Sequence, residues 1–218
     1  MTGSGFTRGR ADAHRLALDR LVVGGVQLDV ERPAEPESLI DEDAFSDDEF
    51  LPYWAERWPS GIALAEQVST RHDLRGRRVL EIGCGLGLPS LIAARLGADV
   101  VATDWSADAI ALLERNASRN GLRVTAVPAD WRDTDAIVSL GPFDLVVAAD
   151  VLYEERNAVP ILTLLATLGA PATIADPGRR HADGFLDAVR TDGWEIDTVR
   201  DARIPQGGIH RLSRVRPS

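Results

Sequence analysis

The stretch Val79-Leu80-Glu81-Ile82-Gly83-Cys84-Gly85-Leu86-Gly87-Leu88-Pro89 decides how this chain folds. A short apolar run stops at glycines spaced Gly-x-Gly-x-Gly. A helical pattern then begins, with Leu88, Leu91, Ile92 and Leu96 at three-to-four spacing and a stop near Gly97. Pro89 falls in the first helical turn, where its missing N–H costs nothing. Strand, glycine turn and helix in this order bring the backbone close to a ligand and offer it a helix N-terminus. The spacing is not the Gly-x-Gly-x-x-Gly of dinucleotide binders. Steric need alone also places glycines at such turns, so the loop by itself leaves ligand binding and plain packing open.

Working outward, the alternation continues. Residues 99–103 form a second strand ending at Asp104, and Ser106 caps a helix through Asn120 with Gly121 as its stop. Further strands are expected at 122–127, 143–149 and 172–175, helices at 158–168 and 181–191, and closing strands at 194–199 and 209–215. Strands that are apolar almost throughout, alternating with helices, point to a parallel sheet buried on both faces. The fold class is therefore α/β, a Rossmann-like doubly wound sheet. Upstream, Trp54 to Trp58 is an aromatic segment, Pro59-Ser60-Gly61 a turn, and 62–68 a helix. Residues 1–50 read as an N-terminal extension, with a hairpin over 21–30 around Gly24-Gly25, and residues 51–218 as the main domain.

The chain has 218 residues, enough for one full domain, and a net charge of -10. Nine acidic residues between Glu31 and Phe50 against Arg32 account for most of that charge, and the run reads as a solvated arm. All 24 basic residues are Arg, which excludes Schiff-base lysines, a pyridoxal phosphate attachment and a complete Walker A motif. No basic patch suggests nucleic acid. No apolar run approaches membrane-spanning length, and Met1 to Arg10 lacks the apolar core of a secretory signal. A cytoplasmic protein without membrane partners is expected. The lone Cys84 and the scattered His14, His72, His181 and His210 give no metal-ligand spacing and no Ser-His-Asp set, so neither a metal site nor hydrolase chemistry is expected.

In a doubly wound sheet ligands bind beyond the carboxyl ends of the strands. Asp104 lies there, 17 residues after Gly87, where a carboxylate can accept both hydroxyls of a ribose or simply cap the next helix. Asp130-Trp131 follows the third strand, where an indole can pack on adenine and a carboxylate meet its amine. Ala149-Asp150-Val151-Leu152-Tyr153 ends the fourth. A charge beside so apolar a strand needs a partner or a cationic ligand, which makes Asp150 the candidate for the catalytic face.

Together these residues carry a family resemblance. The chain resembles the class I, seven-strand S-adenosylmethionine (SAM)-dependent methyltransferases, and among them the small protein-lysine methyltransferase and nicotinamide N-methylase-like group. Trp58, the run Val79 to Gly87, Thr103-Asp104, Asp130-Trp131 and Ala148 to Tyr153 carry it, and residues 52–61 are similar to the corresponding segment of electron-transfer-flavoprotein lysine methyltransferases. The resemblance implies a seven-stranded sheet and SAM as cofactor. It implies that Gly83, Cys84 and Gly85, with Gly87 and Ala149 beside them, line the methionine end, and that Glu81 orders the loop. Asp104 would bind ribose, Trp105, Asp130 and Trp131 would hold adenine, and Trp58 would close over the cofactor. Asp150 and Tyr153 match the Asp-x-x-Tyr element beside the transferable methyl. The segment Asp176-Pro177-Gly178-Arg179 matches no substrate signature.

The expected reaction is N-methylation of a protein lysine. Asp150 would hold the incoming amine by a charge-assisted hydrogen bond, and Tyr153 would offer its ring or hydroxyl. Alternatives are methylation of a small amine or hydroxyl compound, a cofactor-binding interaction module, and a nicotinamide dehydrogenase, the last disfavoured by the glycine spacing. The sequence leaves the oligomeric state open.

Overall fold

A computed structural model describes residues 15–39 and 52–214. The acidic run from Asp41 to Glu49 and His14 lie outside the described residues. An antiparallel hairpin, β1 (Leu16–Val23) and β2 (Val26–Pro33), precedes an alternation of strands and helices. That alternation runs α1 (Pro59–Ser69), β3 (Arg78–Ile82), α2 (Leu88–Arg95), β4 (Asp99–Asp104), α3 (Ala107–Arg119), β5 (Thr125–Pro128) and α4 (Thr134–Val138). It continues with β6 (Leu145–Ala149), α5 (Ala158–Leu168), β7 (Ala172–Asp176), α6 (Ala182–Thr191), β8 (Trp194–Val199) and β9 (Gly208–Arg214).

The seven-stranded sheet has the order β5-β4-β3-β6-β7-β9-β8. β5 through β7 are parallel, and β9 runs antiparallel to both its neighbours. The chain winds outward from β3 to β5, then crosses back to β6 on the other side. The ends of β3 and β6 therefore diverge, which is where such sheets open a crevice. Period-two alternation sends successive apolar side chains to opposite faces. Val79, Val100 and Val147 pack with α1, α2 and the hairpin, while Leu80, Val101 and Val146 pack with α5 and α6. Among the described residues no helix is long and apolar enough to cross a membrane.

Two local expectations are corrected. Pro59-Ser60-Gly61 is not a turn but the first turn of α1, because proline at its start needs no N–H partner. The third strand of the reading begins at Thr125 and not at 122. The described part of the N-terminal extension is no loose appendage: Val23, Leu28 and Val30 are buried in the core on the α1–α2 face. Gly24, at φ +55°, sits where a Cβ would fall 1.7 Å from Ser69 Oγ, so the hairpin turn rests on the end of α1.

Glu31 also departs from the expectation of a solvated arm. It is buried and pairs with Arg115 and Arg119 on α3. Beside it, fully buried Asn116 accepts the Glu31 N–H at 2.7 Å and donates to the Glu31 carbonyl at 3.0 Å. Asn120 makes the same two-way contact with Asp29, at 3.0 and 2.7 Å. α3 thus edges β2 as a third strand would. Asn116→Ala strands two buried backbone groups and is expected to cost about 2 to 4 kcal/mol. Urea unfolding should show a lower midpoint with an unchanged slope.

Candidate active site

The loop after β3 is built on left-handed backbone. Gly83, Gly85 and Gly87 have φ of 62°, 49° and 68°, a region that L side chains adopt only at a cost. Space is short as well: a Cβ on Gly83 would lie 2.8 Å from the Trp131 ring, and one on Gly85 3.2 Å from the Trp54 carbonyl oxygen. The loop closes with the Gly87 N–H on the Cys84 carbonyl at 2.7 Å, and α2 starts directly after it.

Carboxylates hold this loop from two sides. Asp104 Oδ2 accepts the Gly85 N–H and Oδ1 the Ser106 N–H, both at 2.9 Å. Burial pushes its carboxyl up to about 6, opposed by those two backbone hydrogen bonds. Glu81 accepts the Ser90 N–H at 2.9 Å and the Ser90 hydroxyl, fastening β3 to the first turn of α2. Desolvation dominates there too and pushes Glu81 up to about 8. Cys84 is buried with its thiol held well above the ordinary range, chiefly by the same loss of water, so it is no nucleophile.

A cleft of about 480 Å³ opens over the ends of β3, β4 and β6, within the range of small-molecule sites. Trp58, Glu81, Gly83, Cys84, Gly85, Gly87, Asp104, Trp105, Trp131, Ala149, Asp150 and Tyr153 all line it. Asp130 does not: its carboxylate turns to its own neighbour Arg132, with contacts of 2.8 Å to both the amide and Nε. The expectation that Asp130 reaches an adenine amine is therefore not matched by the geometry. Among the described residues, His72, His181 and His210 do not line the cleft. His210, on β9, is buried against the Thr198 hydroxyl at 2.9 Å, and burial lowers its pKa.

The far wall is aromatic. Tyr53 lies 5.6 Å from Tyr153 and 6.2 Å from Trp58 between ring centroids, and Trp58 Nε1 donates to the Tyr53 carbonyl at 2.7 Å. Burial, with the neighbouring Glu154 charge, pushes Tyr153 up to about 12, so its phenol stays protonated at neutral pH. Asp150 has the left-handed φ of 56°, which aspartate tolerates better than most residues. Its N–H donates to the Ala175 carbonyl at 2.8 Å.

The residue that sequence reasoning missed is Arg179. It donates from Nε and Nη2 to the two oxygens of Asp150 at 2.7 and 2.8 Å, and its guanidinium lies 5.9 Å from the Trp58 ring centroid. Asp176 at the end of β7 presents it, because Asp176 Oδ1 accepts the Gly178 and Arg179 N–H groups at 2.7 and 2.8 Å. The strand-end rule that singled out Asp104 and Asp150 covers Asp176 and its loop equally. Tyr53 falls within the stretch 52–61 that carries part of the resemblance, without being assigned a role there.

Residues 54–180 match the family described as lysine methyltransferase. The chain belongs to that family. Its members transfer a methyl group from SAM. The electron transfer flavoprotein beta subunit lysine methyltransferase of Danio rerio is 37% identical over 138 residues, covering 59% of this chain and 51% of the relative. The histone-arginine methyltransferase METTL23 of Xenopus laevis is 33% identical over 111 residues, covering 48% and 47%. The chain thus spans about half the length of the curated relatives it matches. A T. thermophilus 16S rRNA methyltransferase, RsmC, in complex with AdoMet and guanosine superposes with a TM-score of 0.67 at 17% identity, over 92% of this chain and 51% of that one. That likeness concerns the fold alone, which is the class I methyltransferase fold.

Gly83→Ala would combine a left-handed alanine with a clash against Trp131. It is expected to lower stability by about 1 to 2 kcal/mol. Denaturant unfolding reads that loss, and the near-ultraviolet circular dichroism of the tryptophans reads the displaced ring.

Proposed function

We propose that this chain is a SAM-dependent N-methyltransferase acting on a lysine side chain of a protein, in the cytoplasm. One observation carries the reading: the glycine loop, Asp104 and the Asp150-x-x-Tyr153 element converge on a single cleft at the sheet's switch point. The cofactor fits the residues present. Gly83 and Gly85 leave backbone exposed where no side chain has room, Asp104 keeps lone pairs beyond its two amide bonds, and Trp105 and Trp131 line the same cleft. A cytoplasmic setting suits a chain whose one cysteine is a buried free thiol.

Bound SAM supplies a methyl group on a positively charged sulfur, and transfer forms an N–C bond as the S–C bond breaks. The protein's task is alignment and desolvation. The acceptor nitrogen enters between Tyr53, Trp58 and Tyr153, an apolar wall that favours the neutral amine over the ammonium. Neither Tyr153 nor Asp150 is poised as a strong base, since the Tyr153 phenol is protonated and Asp150 is tied to Arg179 at both oxygens. The ammonium proton leaves to solvent before transfer.

Calorimetric titration with S-adenosylhomocysteine, with NADH in parallel, tests the cofactor: micromolar binding of the first alone is expected, and binding of NADH alone overturns the reading. The acceptor is tested by tritiated methyl transfer from SAM to core histones, native and with their lysines blocked by reductive methylation. Loss of label on blocking supports lysine. Label that survives blocking points to arginine, the acceptor named for the METTL23 relative.

The Asp104 carboxyl gives a pH prediction. A ribose hydroxyl donating to it favours the charged form, so binding lowers a pKa that is about 6 in the free protein. Binding below that pH must expel a proton. S-adenosylhomocysteine affinity should therefore rise as pH climbs towards about 6 and level off above it. Calorimetry in two buffers of different ionisation enthalpy reads the proton release, and Asp104→Asn should abolish the slope.

A further inference from the structure

The Asp150–Arg179 pair lines the cleft with Trp58 and Tyr153, where the proposed function puts the acceptor nitrogen. Asp150 is buried, its side chain 7% exposed, and its carboxylate is paired with Arg179. A planar guanidinium bound through Nε and one Nη2 hydrogen satisfies both carboxylate oxygens at once. The same guanidinium lies over Trp58, so ring, cation and carboxylate form one stack from the aromatic segment to the end of β6.

We propose that Arg179 sets the charge of the acceptor cleft: by engaging both oxygens of Asp150 it meets the incoming nitrogen with a neutral ion pair, so the site selects the uncharged amine over the ammonium. The inference rests on the N-methyltransferase reading and deepens it. An unpaired Asp150 carboxylate in so dry a place would bind an ammonium ion tightly and hold its proton on, and a nitrogen without a lone pair cannot be methylated. Arg179 prevents that trap. It is a positioning residue, acting through Asp150.

Other charged and titratable groups face the pair. Tyr53, Glu56 and Arg57 come from the stretch before α1, Tyr153 and Glu154 from the turn after β6, Asp104 from β4 and Asp176 from β7. None is altered in the variants below, so differences among them report the pair alone. Asp176 contributes through its hydrogen bonds to the Arg179 loop and through its charge beside both partners.

The test uses n-butylammonium chloride as a probe of the acceptor cleft at pH 7, titrated into the full chain with S-adenosylhomocysteine present and followed by the indole N–H signals in two-dimensional NMR. Wild type and Arg179→Lys should bind the probe weakly, since both keep a cation on Asp150. Arg179→Gln should bind it at least tenfold more tightly, and Asp150→Asn/Arg179→Gln should return to the wild-type value. A gain absent from Arg179→Gln, or present also in the double variant, overturns the proposal. A second measurement needs no Arg179 variant: Asp150→Asn leaves an unpaired guanidinium and should bind n-butyrate at least tenfold more tightly than wild type. An unchanged butyrate affinity overturns the proposal as well. Failure of the underlying reading shows separately, as absence of S-adenosylhomocysteine binding to wild type, and the probe series then runs on the chain alone.

Discussion

Asp104 accepts the Gly85 amide through one oxygen and the Ser106 amide through the other, and with those two bonds it joins the loop after β3 to the crossover after β4. The cleft floor exists because these neighbouring turns are fixed to each other. The arrangement is costly, since a buried carboxylate gives up its water and recovers only part of that loss from backbone donors. Glu81 one strand away repeats the pattern with Ser90. Two partly compensated acids beneath one glycine loop leave the free protein with unspent hydrogen-bonding capacity, and a polyhydroxylated ligand can use it.

The alternation of strands and helices was legible because parallel strands covered on both faces are written as unbroken apolar runs, as in Leu145 to Ala149. The helix caps were legible for a local reason: Ser106 takes the Ala109 N–H within its own turn. The glycine loop and the strand-end acids could be found because strand ends carry the ligand in this architecture. Arg179 could not be assigned on the same footing. Its role depends on a partner 29 residues away and on Trp58, and nothing local to the loop announces either contact. Asp130 shows the opposite situation, since an arginine two positions along takes its carboxylate in a contact that the spacing of strand ends does not announce.

The hairpin shows how composition can mislead. Glu31 opens a run so acidic that solvation is the natural reading, yet it is drawn in by Arg115 and Arg119, which α3 presents one turn apart. Asn116 and Asn120, also one turn apart, give their amides to the β2 backbone. A helix thereby satisfies a strand edge that would otherwise offer unpaired groups to another chain. Ser106, whose amide Asp104 holds, caps α3, so the hairpin rests on the helix that follows directly on the cleft-lining Asp104 and Trp105.

The left-handed backbone at Asp150 restricts how this site can change over evolutionary time. Of the side chains one nucleotide away from aspartate, asparagine and glycine accept that conformation readily, whereas valine and alanine would distort the turn. A descendant can therefore drift to asparagine at this position and keep its shape. Such a chain would match its ancestor in every strand and helix and differ from it by one atom of one side chain.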